Sequence, residues 1–109
     1  MATIKSFEDL DNWKLARQIC HKVFEITNKN EFSKDFSLKD QIRRSSGSIM
    51  DNISEGFERE GKKEFIQYLS ISKGSSGECR SQLYRAIDRK YITGEEFDEL
   101  YNLLKIESQ

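Results

Sequence analysis

Leu38-Lys39-Asp40-Gln41-Ile42-Arg43-Arg44-Ser45-Ser46-Gly47-Ser48-Ile49-Met50-Asp51-Asn52-Ile53-Ser54-Glu55-Gly56-Phe57 decides the fold. By composition Ser45-Ser46-Gly47-Ser48 looks like a loop. Phase says otherwise. Leu38, Ile42, Ile49, Ile53 and Phe57 are spaced by four, seven, four and four residues, and seven residues make two helical turns, so the apolar stripe resumes in register beyond the serines. One helix therefore runs through the whole stretch and turns Ser45 and Ser46 inward, where small side chains let a neighbouring helix approach closely. Ser37 is placed to cap it, with Asp40 three residues on.

Outward from this helix, each flank repeats the helical period. Upstream, Leu10, Trp13, Ala16, Ile19, Cys20, Val23, Phe24 and Thr27 form one stripe, opened by Ser6 as N-cap with Asp9 in the first turn. Asn28 to Phe36 is a polar connection. Downstream, Gly61 can make the bend into a third series, Phe65, Leu69, Ser72, Ser76, Cys79, Leu83 and Ile87, in phase across Gly74-Ser75-Ser76-Gly77. Thr93-Gly94-Glu95-Glu96 is a capping box that opens a fourth helix with Phe97, Leu100, Tyr101 and Leu104 inward. No segment alternates with period two. The predicted fold is all-α, an antiparallel up-and-down four-helix bundle in one domain over residues 1–109, with helices at roughly 7–28, 38–59, 62–90 and 94–106. The second and third should be longest and paired antiparallel through Gly61, with Ser45, Ser46, Ser72 and Ser76 near their contact.

Of the 109 residues, 36% are hydrophobic and 34% charged, against about 25% charged in an ordinary domain. So charged a chain buries a modest core, and partner subunits are one way to complete it. No apolar run is long enough for a membrane span. Met1-Ala2-Thr3-Ile4-Lys5-Ser6 lacks the apolar stretch of a signal peptide, which points to the cytoplasm. Cys20 and Cys79 form no ligand spacing and read as reduced core thiols. Net charge is −1, so the chain as a whole is not a basic nucleic-acid binder. Charge is unevenly spread, however: residues 58–90 carry net +3 and residues 91–109 net −4.

Chemical motifs are few. His21 is the only histidine, and beside Cys20 on a helix it points to a different side, a poor nucleophile–base pair. Nucleotide-binding glycine loops, hydrolase elbows, Glu-x-x-His pairs and zinc ligand sets are all missing. Nothing therefore assigns a catalytic residue, a cofactor or a metal. Two clusters remain. Arg44, Asp51 and Glu55, with Asp40, make a polar ridge on the second helix; with Glu78 of the third they suit a subunit contact or a polar lattice between helices. Glu78, Ile71 and Gln82 fall opposite Leu69 and Leu83. The alternative use of Arg43 and Arg44 is phosphate binding, which the neighbouring acids oppose. The second cluster is the third helix's basic set, Lys62, Lys63, Arg80, Arg85, Arg89 and Lys90. These are the candidate nucleic-acid residues, with Tyr84 and Tyr91 as stacking faces or as core rim.

The stretch from Leu38 to Phe57 resembles the signature of the four-helix bundle proteins encoded in 23S rRNA intervening sequences. Phe7, Leu10, Trp13 and Ala16 fit that family's first helix. Lys63-Glu64-Phe65, Leu69, Gly74-Ser75 and Glu78 fit its third, and Tyr91-Ile92 with Glu96-Phe97 its fourth. Met50 stands where the family usually has proline, Ser45 and Ser54 where alanine is frequent, and Cys79 where leucine is common. The resemblance implies an antiparallel bundle and a homo-oligomer, with a pentamer the expected form. A similar group, the accessory variability proteins of diversity-generating retroelements, binds nucleic acid through a strongly basic surface.

Two functions follow as expectations. One is a non-enzymatic oligomer that engages RNA or DNA through the third helix, its phosphate contacts multiplied by symmetry. The other is an oligomeric scaffold or protein-interaction module without nucleic-acid affinity.

Overall fold

The computed structural model describes residues 3–109. Four helices, α1 (Asp11–Thr27), α2 (Phe36–Glu58), α3 (Lys62–Asp88) and α4 (Gly94–Glu107), alternate in direction around one core, and no strand occurs among the described residues. Each packs on two neighbours, α1 on α2 and α4, and α3 on α2 and α4. The bundle measures 43 × 26 × 20 Å. As the periodicity requires, α2 runs unbroken through Ser45–Ser48, and α2 and α3 are the longest helices at 23 and 27 residues. Ile19, Leu38, Ile42, Ile49, Ile53, Leu83 and Leu104 are fully buried.

The ends of the helices differ from expectation in instructive ways. Residues 7–9 form a separate 3-10 turn, in which the Asp9 carboxylate accepts the backbone N–H groups of Lys5 and Ser6, and α1 proper begins at Asp11. Asp35, not Ser37, caps α2: its carboxylate accepts Leu38 N–H at 3.1 Å, while Ser37 lies inside the first turn and accepts from Gln41. The polar connection contains a 3-10 turn at Asn30–Lys34 that sends Phe32 into the core, fully buried and stacked on Tyr91 at 5.2 Å. At the α2–α3 bend the left-handed residue is Glu60 (φ 62°), whereas Gly61 is extended (φ −105°) and serves as N-cap of α3. Helix α3 ends at Asp88, and Lys90 takes the left-handed position (φ 63°) that lets Tyr91 N–H reach Ala86 C=O. The capping box at Thr93 and Glu96 forms as its sequence dictates.

All four inward serines are buried, but they do not share one contact. Ser45 bonds Gln82 of α3 at 2.6 Å, and Ser72 donates to Ile49 C=O of α2 at 3.0 Å. Ser76 instead donates to Leu104 C=O of α4, and the Ser46 carbonyl accepts the Cys20 thiol of α1. Each of the four hydroxyls has an acceptor, so hydrogen bonds offset the desolvation cost of a core this rich in serine. Gln82, expected on the outer face, is 5% exposed because Ser45 gives its amide oxygen a partner. Phe24, expected inward, is 54% exposed and lies beneath the Arg43 guanidinium at 4.7 Å.

Candidate functional site

The polar ridge of α2 resolves into short-range pairs. Arg44 grips Asp40 one turn back at 3.0 Å, with both side chains mostly exposed, and Glu55 takes Arg59 at 3.3 Å. Asp51 and Glu78 are exposed and form no ion pair among the described residues. Within one chain the four residues Arg44, Asp51, Glu55 and Glu78 are thus not joined to one another. Helices α2 and α3 are instead linked by small polar groups. Ser48 and Ser75 hydroxyls meet at 2.8 Å, with Asn52 Nδ2 donating to Ser48, and Arg85 Nη2 donates to Gln41 Oε1 at 3.0 Å. Near the bend, a methyl group on Gly56 would stand 2.6 Å from Tyr68 Cβ, so glycine sets the separation of the two axes there.

The basic residues of α3 fall into separate places. Lys62 and Lys63 open the helix, about 40 Å along its axis from Arg89. Arg80 lies beside the Tyr84–Tyr101 pair with its Nε–H buried and unpartnered. Arg89 donates to Asp35 Oδ2 at 2.7 Å, and the Tyr91 hydroxyl donates to the same oxygen at 2.8 Å. Asp35 is held below the usual carboxylate range first by the Leu38 N–H and then by Tyr91 and Arg89, burial opposing. Towards the C-terminal end of α3, Arg85, Arg89 and Lys90 are neighbours, and the first two already have partners. Tyr84 packs edge-on against Phe97 and Tyr101, and Tyr91 stacks on Phe32; both extend the core rim.

The surroundings of both cysteines favour the protonated thiol. Burial pushes the Cys79 thiol up to about 12 and raises Cys20 as well, which leaves both protonated at neutral pH. His21 is exposed and sits 3.8 Å from Glu25. Among the described residues no group of three His, Cys, Asp or Glu gathers as a metal site, and no helix is long and apolar enough to cross a membrane.

A family model described as 23S rRNA-intervening sequence protein matches residues 8–108. The chain belongs to that family. Its fold is similar to a crystal structure described as a protein of unknown function from the S23 ribosomal protein family of Bacteroides thetaiotaomicron VPI-5482. The TM-score is 0.74 at 27% identity, over 89% of this chain and 87% of that one. No curated protein matches. Membership of the 23S rRNA-intervening sequence family spans all four helices.

One surface of this family member escaped sequence reading. With 27 residues α3 is about 40 Å long, whereas α4 with 14 is about 21 Å. Helix α4 starts near the C-terminal end of α3 and stops beside its middle, so the first half of α3 lacks a full flanking helix on that side. Ile66 is 57% exposed there, and Phe57, Phe65 and Leu69 are half-buried. Where α4 stops, Glu107 is turned inward. The only available signal was unequal helix length; the spacing of apolar residues carries no information about which neighbour runs out first.

Proposed function

We propose that this 23S rRNA-intervening sequence family protein is a non-enzymatic subunit of a homo-oligomer, whose working surface binds protein, not nucleic acid. The overhang of α3 beyond α4 carries the reading. A half-covered apolar strip of Phe57, Phe65, Ile66 and Leu69 on a bundle with a small core gains most by burial against another copy. Five copies in a ring is the number the sequence resemblance implies. The exposed ridge of Arg44, Asp51, Glu55 and Glu78 is a second candidate contact, since its residues form no ion pair across helices among the described residues, Glu55 meeting α3 only through the Tyr68 hydroxyl at 3.4 Å. A nucleic-acid surface on α3 has less support: Arg89 is neutralised by Asp35, Arg85 is held by Gln41, and Lys62 and Lys63 lie at the far end.

Light scattering over a dilution series tests the assembly. A mass of several subunits at micromolar concentration is expected, shifting towards monomer in Ile66→Glu, whose side chain is exposed and whose loss leaves the fold intact. A monomer mass for the native chain at micromolar concentration overturns the proposal. Binding of a structured RNA at about 50 mM salt, steeply salt-dependent and lost in Arg85→Ala with Arg89→Ala, would restore the third-helix reading instead.

A further inference from the structure

We infer that Glu107 is half of an intersubunit ion pair, awaiting a lysine or arginine from a second copy of the chain. The inference rests on the proposed homo-oligomer and deepens it, because it makes the site incomplete without the partner copy. Glu107 lies in the last turn of α4 with only 9% of its surface exposed, and its Oε2 is buried without any hydrogen-bond partner. A buried carboxylate oxygen is ordinarily paired, since leaving one unpaired is among the costlier arrangements a fold can hold. The macrodipole adds to the cost, for the C-terminal end of a helix repels negative charge. Burial alone raises the Glu107 pKa to about 8.

The carboxyl borders a groove of about 310 Å³ lined by Asn12, Ile66, Leu69, Ser70 and Lys73. Its walls match an alkylammonium or alkylguanidinium side chain: Ile66 and Leu69 would cover the aliphatic stem, and Ser70 and Asn12 offer oxygens to the remaining N–H donors. The same groove opens onto the exposed Ile66 of the overhang, so one approaching surface would cover both. Charge complementarity then favours a second copy as occupant, since Lys62, Lys63 and Lys90 make no ion pair among the described residues. The titratable groups facing Glu107 are Lys73 from α3, which lines the groove but makes no ion pair with it, and the Cys20 thiol from α1.

The pair gives assembly a proton linkage. A subunit alone holds Glu107 protonated at neutral pH; docking a cation ionises it and releases one proton, so association tightens as pH rises towards 8 and levels off above. The test is the subunit dissociation constant from light scattering or analytical ultracentrifugation at pH 6.5 and 8.5, for the native chain and Glu107→Gln. The native oligomer should tighten more than about tenfold per engaged site over that range, and Glu107→Gln should associate more weakly at pH 8.5 with the dependence gone. Equal pH dependence in both proteins, or none in the native oligomer, overturns the pair while leaving the oligomer standing. A native chain that is monomeric throughout removes the oligomer itself.

Discussion

Replacing Gly56 with alanine sets two effects of opposite sign against each other. In a helix interior alanine is favoured over glycine by about 1 kcal/mol, so on propensity alone the variant gains stability. Packing opposes it. The new Cβ would stand 2.6 Å from Tyr68 Cβ, 3.1 Å from Phe65 Cδ1 and 3.3 Å from Tyr68 Cγ, where carbon atoms prefer about 3.5–4.0 Å. Tyr68 Cβ is fixed to its own backbone, and no rotamer change withdraws it. Helices α2 and α3 must part by about 1 Å at this point, with a repacking cost of about 1–3 kcal/mol or more. Packing opposes and outweighs the gain, and Gly56→Ala should destabilise the protein by up to about 2 kcal/mol net, lowering the unfolding midpoint by up to about 15 °C. Gly47 and Gly74 are internal controls: both are helical, and a Cβ on either meets nothing within 4 Å. Gly47→Ala and Gly74→Ala should each gain about 1 kcal/mol. Urea unfolding followed by circular dichroism, at one fixed protein concentration, measures all three. Should Gly56→Ala gain stability as the controls do, close contact at Gly56 does not set the α2–α3 distance.

Other residues give sharper single tests. Glu60→Gly removes a left-handed strain (φ 62°) and should stabilise by about 0.5–1 kcal/mol in the same assay. Ser76→Leu should cost about 1–3 kcal/mol by overpacking against α4, and Ser45→Leu at least as much because it also strands the Gln82 amide; a midpoint that does not move in either places that serine outside the core. Asp35→Ala removes the α2 cap and the acceptor of Arg89 and Tyr91 and should cost about 1–2 kcal/mol at pH 7. The folded pKa of Asp35 lies below its unfolded value of 3.8, so its contribution is present above that value and fades as pH falls through the lower one; the deficit of the variant should shrink accordingly in acid unfolding curves. Arg44→Ala breaks only an exposed pair in an isolated chain, so a large drop in midpoint at oligomer-forming concentrations would show that Arg44 meets a second copy.

Periodicity alone carried the bundle. The seven-residue step from Ile42 to Ile49 specifies a continuous α2 through four small residues, because a helix repeats its faces whatever their composition, and α2 runs unbroken there. Cap chemistry is equally local, and Thr93 with Glu96 opens α4 as its sequence dictates. Local rules failed where two residues could do the same work. Asp35 competes with Ser37 for one cap and gains it because Arg89 and Tyr91, distant in sequence, hold the carboxylate in place. Phe32 is buried amid a polar run because the α2 entry and Tyr91 close over it. Gln82 turns inward because Ser45, 37 residues earlier, offers a hydroxyl. The interaction surface lies further from sequence still. That Arg85 and Arg89 are already occupied, that α3 outruns α4, and that Glu107 is buried without a partner all depend on where one helix ends beside another. Residue pattern decides which face of a helix turns inward, since that follows from 3.6 residues per turn; which charged groups stay free follows from distances between helices, and only the packed bundle sets those.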